Sequence, residues 1–163
     1  MWIIISKTMK LFAIALLIGL LADRCSGSAT ETAPPDSLVI RTGTSFGMCV
    51  GYCNQEYVIQ KTNVTLTQRA NGSPRQQPTK TCQFTLDAGV QNQLLSMIDF
   101  RQFSQQPATL GCPDCADGGA EYIELQTGGE KHRVTFDYGR TIPGFEPLVE
   151  LLRQQRAQFK TCN

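Results

Sequence analysis

The stretch Glu121-Tyr122-Ile123-Glu124-Leu125-Gln126-Thr127-Gly128-Gly129-Glu130-Lys131-His132-Arg133-Val134-Thr135-Phe136-Asp137-Tyr138 decides the fold. Both halves alternate apolar with polar residues, the two-residue period of a strand with one face buried. Two glycines separate them, the length and composition of a tight hairpin turn. Residues 121–127 and 130–138 are therefore expected to pair antiparallel. Ile123 and Leu125 mark the apolar face of the first strand, and Val134, Phe136 and Tyr138 that of the second. The other face is polar.

Working upstream, the helical period appears over residues 87–103, where Val90, Leu94, Leu95, Met97, Ile98 and Phe103 recur at steps of mostly three and four. Thr85 or Asp87 is placed to cap its start. Residues 81–86 read as a strand, and residues 70–80 as a loop, since Asn71-Gly72, Pro74 and Pro78 interrupt any regular element. Residues 55–66 carry Tyr57, Val58, Ile59, Val64 and Leu66, one long strand or two short ones joined near Thr62-Asn63. Residues 37–41 form a first strand, followed by a glycine-punctuated loop over 42–51.

Downstream, Pro143-Gly144 introduces a helix with Phe145, Leu148, Val149, Leu152 and Phe159 on one side, and Arg153, Gln154, Gln155 and Lys160 turned to water. Grouped antiparallel strands interrupted by two amphipathic helices give an α+β class: a twisted antiparallel sheet with both helices packed on one face. One domain over residues 37–163 is expected.

The N-terminus lies outside that domain. Lys7 and Lys10 precede an apolar run over residues 11–22, and Gly27-Ser28-Ala29 supplies small residues for cleavage, so residues 1–29 read as a signal peptide cut after Ala29. Residues 30–36, with Pro34-Pro35, form an extended linker. The apolar run is shorter than the roughly 18 residues a permanent span needs, and Asp23-Arg24 argues against lipid attachment at Cys25. The expected location is exported, periplasmic or extracellular. Cleavage removes three of the 15 basic residues and one of the 14 acidic ones, leaving 12 and 13. A formal charge of −1 gives no basis for binding nucleic acid or an anionic membrane.

Of seven cysteines, Cys25 leaves with the leader, and Cys49, Cys53, Cys82, Cys112, Cys115 and Cys162 remain. An even number in an exported chain favours disulfides. The two cysteine-rich loops are expected to be joined by at least one bond from Cys49 or Cys53 to Cys112 or Cys115, which leaves Cys82 for Cys162. The alternative is a zinc ion held by the thiolates of Cys49, Cys53, Cys112 and Cys115, since pairs spaced by three and two residues are permissible for a tetrahedral site.

Catalytic chemistry is poorly provided for. Cys112-Pro113-Asp114-Cys115 has dithiol spacing, but loop residues precede it, Gly118-Gly119 follow it, and the Asp114 charge opposes thiolate formation. His132 stands alone on a hairpin strand. Asp114, Asp117 and Glu121 lack the spacing of a twelve-residue calcium loop, and the Asp117/Glu121 pair lacks a cleft for sugar hydrolysis. Tyr52, Tyr57, Phe100, Phe103, Tyr122, Phe136 and Phe145 are assigned to one core with hydroxyls at its rim. No catalytic residue, resident metal or cofactor is therefore assigned.

Residues Arg41-Thr42, then Phe46-Gly47-Met48-Cys49-Val50-Gly51-Tyr52 entering a strand, and the order strand, strand, helix, loop, hairpin, helix, resemble a family of exported bacterial domains with no assigned activity. The resemblance covers roughly residues 37–155. The segment Gly111-Cys112-Pro113-Asp114-Cys115-Ala116-Asp117-Gly118-Gly119-Ala120-Glu121 is similar to one subgroup, while Ser45 and Val50 stand where the family often has cysteine and proline. The resemblance implies export and a bacterial origin. It also makes the sequons at Asn63 and Asn71 matter only in a host that glycosylates asparagine. The functional expectation is a non-enzymatic binding or structural module of the bacterial envelope or exterior; the alternative is a metal- or thiol-dependent activity centred on Cys49, Cys53, Cys112 and Cys115.

Overall fold

Among the described residues seven strands form, in chain order β1 Val39–Ser45, β2 Asn54–Gln60, β3 Asn63–Arg69, β4 Lys80–Thr85, β5 Thr109–Leu110, β6 Ala120–Thr127 and β7 Glu130–Asp137. Three helices accompany them: α1 Ala88–Met97, the single turn α2 Phe100–Phe103, and α3 Glu146–Gln158. The computed structural model describes residues 38–73 and 75–162. The leader, its cleavage after Ala29, Cys25 and the 30–36 linker lie outside the described residues. The class is α+β, with one open sheet in the order β4-β3-β2-β1-β6-β7-β5, antiparallel except where β5 runs parallel to β7.

The hairpin of β6 and β7 closes through Gly128 (φ 56°) and Gly129 (φ 88°), both left-handed, as a primed two-residue turn requires. Strands β2 and β3 are likewise two short strands, turning at Lys61-Thr62 with Lys61 at φ 54°. The first strand departs from expectation. Residues 42–45, read as loop because of Gly43, extend β1 instead, and β1 takes an interior place between β2 and β6. The reason lies across the sheet: the Tyr122 ring rests over Gly43, and a Cβ there would stand 2.8 Å from that ring and collide with the Gln55 carbonyl. Glycine serves here as a saddle for an aromatic ring and not as a breaker.

The helix over residues 87–103 is in fact two. Asp87 caps α1, its Oδ1 accepting the Gly89 and Val90 amide hydrogens at 2.7 and 3.3 Å. At Ile98 the backbone turns extended, and Asp99 starts α2 by accepting from the Gln102 amide at 3.0 Å. Residues 105–119 also hold more structure than a loop, namely β5 and a 3-10 turn over Cys115–Asp117.

Strand period sorts the side chains. Ile40, Tyr57, Ile59, Val64, Leu66, Ile123, Leu125, Val134 and Phe136 project to one face and are buried with Leu94 of α1, Phe103 of α2 and Leu148, Val149 and Leu152 of α3. Tyr138, assigned to this face by alternation, falls just beyond β7 and is exposed. The C-terminus is stitched beneath β3 and β4. Cys82 is bonded to Cys162, with Cα atoms 5.5 Å apart, and the Gln68 amide group donates to Lys160 O and accepts from Cys162 N. Closing a loop of 80 residues stabilises the fold by about 4 kcal/mol in the chain-entropy picture.

Candidate functional site: the disulfide-pinned tip

Antiparallel pairing brings three connecting segments to one end of the sheet: residues 46–53 between β1 and β2, 70–73 and 75–79 between β3 and β4, and 111–119 between β5 and β6. The 46–53 loop is central. Asn71 on one side donates through Nδ2 to the carbonyl oxygens of Phe46 and Gly47, each at 2.8 Å, while its Oδ1 accepts from Asn54. On the other side Asp114 Oδ1 accepts from the Gly47 amide at 3.3 Å and the Gly119 amide at 3.1 Å. The Phe46 ring meets Tyr138 edge-on, with centroids 4.9 Å apart.

These contacts correct the expected cross-link between the loops. Cys49 bonds to Cys53 and Cys112 to Cys115, with Cα separations of 5.6 and 5.5 Å. The loops are held together by the Asp114 carboxylate, the Asn71 carboxamide, the Phe46 ring and the Tyr52 hydroxyl, which donates to Pro78 O. Asp114 reaches both partners because it sits in the left-handed region (φ 62°), as do Ala116 and Asp117 (φ 51° and 59°), between Gly111 and Gly119. Asp137 adds a further tie, accepting from the Cys112 amide at 3.0 Å.

On this rigid frame stand the exposed large apolar side chains of the described residues: Val50 fully exposed, Met48 at 78% and Tyr138 at 52%. Met48 and Val50 flank Cys49, whose bond to Cys53 holds the loop shut. Apolar side chains fixed in water at one end of a domain favour contact with another surface.

The remaining candidates take structural places. The Cys49/Cys53/Cys112/Cys115 set is divided into two local bonds, and among the described residues no group of three or more His, Cys, Asp and Glu converges as a metal site. His132 faces the helices, its Nε2 2.9 Å from Gln106 O and its ring edge-on to Phe103. Asp117 is exposed, whereas Glu121 is 2% exposed. Sequence reasoning missed the partners of Glu121. Arg153, expected to face water, donates from Nε to both Glu121 oxygens at 3.2 and 3.1 Å, and Arg156 Nη2 donates at 3.0 Å. The signal was present: Val149, Leu152, Arg153 and Arg156 share one helical stripe, and Glu121 shares strand parity with Ile123 and Leu125.

The aromatics do not form one core. Tyr57, Phe103, Phe136 and Phe145 are buried, Phe100 is packed at the margin, and Tyr52 lies among the tip loops with its hydroxyl donating to Pro78 O at 3.0 Å. Tyr122 belongs to the uncovered face. It crosses Gly43 to donate to Glu56 at 2.9 Å, and the Arg133 guanidinium stacks 4.1 Å above its ring. Burial first, then the Glu56 charge and hydrogen bond, push its ionisation well above the ordinary tyrosine value, against a lowering by Arg133. Burial also raises Tyr57, with Arg156 opposing. No protein-family model matches the chain, and no curated protein matches it in sequence.

Proposed function

We propose that the chain is an exported, non-enzymatic binding module of the bacterial envelope or exterior that engages its partner through the tip formed by residues 46–53 and their flanking loops. The observation that carries this reading is the exposure of Met48 and Val50 on a disulfide-closed loop, with exposed Tyr138 packed against Phe46 of the same loop. Preorganised apolar anchors lose little conformational entropy on docking. Export is supported by the pairing of Cys49, Cys53, Cys82, Cys112, Cys115 and Cys162, which an oxidising compartment preserves. No helix among the described residues is long and apolar enough to cross a membrane.

Two measurements test the reading. Thiol counting in denaturant on the protein isolated from its own compartment, with metal analysis of the same native sample, is expected to find the six cysteines oxidised and no stoichiometric zinc. Four free thiols with one zinc would instead establish the metal centre at Cys49, Cys53, Cys112 and Cys115. A photo-cross-linking residue at Val50 is expected to give a discrete adduct in that compartment, while the same residue at exposed Asn92 on α1 gives none. Equal labelling from both positions would overturn the tip as the binding surface.

A further inference from the structure

The tip carries an ordered distribution of charge. Its central loop, Phe46-Gly47-Met48-Cys49-Val50-Gly51-Tyr52-Cys53, contains no charged residue. The flank contributed by β4 and the loop before it is basic, with exposed Arg75 and with Lys80, whose ammonium lies 5.5 Å from the centre of the Tyr52 ring. The opposite flank, residues 111–119, is acidic through Asp114 and Asp117, with Asp137 beneath it and Arg140 following β7. Hydrogen bonds donated by Asn71 and accepted by Asp114 hold the two flanks on opposite sides of the apolar centre.

A surface arranged as basic, apolar, acidic is complementary to itself after a half-turn about its centre. Such a rotation sets Met48 and Val50 against their own copies and brings Arg75 of each chain toward Asp117 of the other, so each favourable charge pairing occurs twice. An unrelated partner would need to match this order by its own sequence, whereas a second copy matches it by symmetry. We infer that a second copy of this chain docks on the tip, forming a twofold dimer centred on the Met48 and Val50 loop. This inference rests on reading the tip as a docking surface and names its occupant.

Sedimentation velocity on the purified mature chain tests it, over about 1 µM to about 1 mM, the range in which a small interface populates a dimer. The expected result is a concentration-dependent rise from monomer toward twice the mass, weakening as salt is raised from about 0.05 to about 0.5 M. Val50→Asp and Met48→Asp, both at exposed positions that leave the melting transition in place, are expected to weaken association at least about tenfold. Arg75→Glu and Asp117→Lys are each expected to weaken it, and the double charge exchange to recover most of the loss, since the opposite pairs are restored across the axis. A dimer indifferent to Val50→Asp, or a double exchange no better than either single change, overturns the arrangement. A chain that stays monomeric throughout while the Val50 adduct to another protein persists overturns the second copy and leaves the binding module standing. Monomer with no Val50 adduct removes both.

Discussion

Glu121 and Glu124 stand three residues apart on β6, and the two-residue period of the strand turns them to opposite faces of the sheet. Each is held by two arginines. Glu121 faces the helices, and its arginines, Arg153 and Arg156, both descend from α3. Arg156 also donates through Nη1 to Thr42 Oγ1 at 2.6 Å, so one guanidinium joins helix, β1 and β6. Glu124 faces away from the helices, and its arginines come from neighbouring strands: Arg41 at 3.2 Å and Arg133 at 2.9 Å. The difference is in what replaces a lost partner. The side chains of Arg41 and Arg133 are 30% and 44% exposed and can turn to water, whereas those of Arg153 and Arg156 are 23% and 10% exposed and turn less freely. The same chemical triad therefore clasps a helix to the sheet on one face and, around a carboxylate that is also buried, ties strands through more exposed arginines on the other.

Removing the two carboxylates separately is the sharpest break of this comparison. Glu121→Ala leaves two guanidinium groups without their anion beneath α3 and is expected to cost about 3–5 kcal/mol in urea unfolding. Glu124→Ala is expected to cost about 1 kcal/mol or less. Equal losses would show that the two faces are equivalent in spite of their different access to water. Next in size is Gly43→Ala, which sets a methyl group against the Tyr122 ring and the Gln55 carbonyl and is expected to cost about 1–3 kcal/mol by overpacking. An unchanged midpoint would mean that the ring is not seated on β1.

The smallest effect concerns Tyr122 itself. Its phenol is neutral when folded and resists ionisation, so it contributes stability that is fully present below the ordinary tyrosine value near 10 and is lost as pH climbs from there toward the raised folded value. Tyr122→Phe is expected to cost about 1 kcal/mol at neutral pH through the lost bond to Glu56, and to flatten the fall of melting temperature above about pH 10. A slope identical to that of the unsubstituted chain would place the alkaline sensitivity elsewhere.

The hairpin of β6 and β7 was legible because Gly128-Gly129 and the alternation around it are local signals that agree. Strand β1 was legible only to Arg41, since Gly43 normally weakens a strand and its justification, the Tyr122 ring, lies about 80 residues away in sequence. The join of α1 to α2 was hidden because Ile98 and Phe103 continue the apolar period across the extended residue at 98. Within the tip, the cysteines announced bonds without their connectivity, and what links the loops is Asp114, whose left-handed backbone no spacing rule reveals. Tyr138 read as a core residue by alternation, and the exposure of Met48 and Val50 in their loop had no signal, because exposure belongs to the assembled fold and not to the residue type.

Asn71 carries a further consequence, one of timing. Its amide nitrogen donates to both Phe46 O and Gly47 O, and that nitrogen is also the atom at which the sequon Asn71-Gly72-Ser73 would accept a sugar. Transfer would replace one hydrogen with a glycosidic bond and leave a single donor for two carbonyls. Sugar and fold thus compete for one atom, and whichever claims it first hinders the other. In a glycosylating host, occupancy at Asn71 would report how early its nitrogen is engaged by Phe46 and Gly47, while Asn63, exposed at the start of β3, keeps no such record.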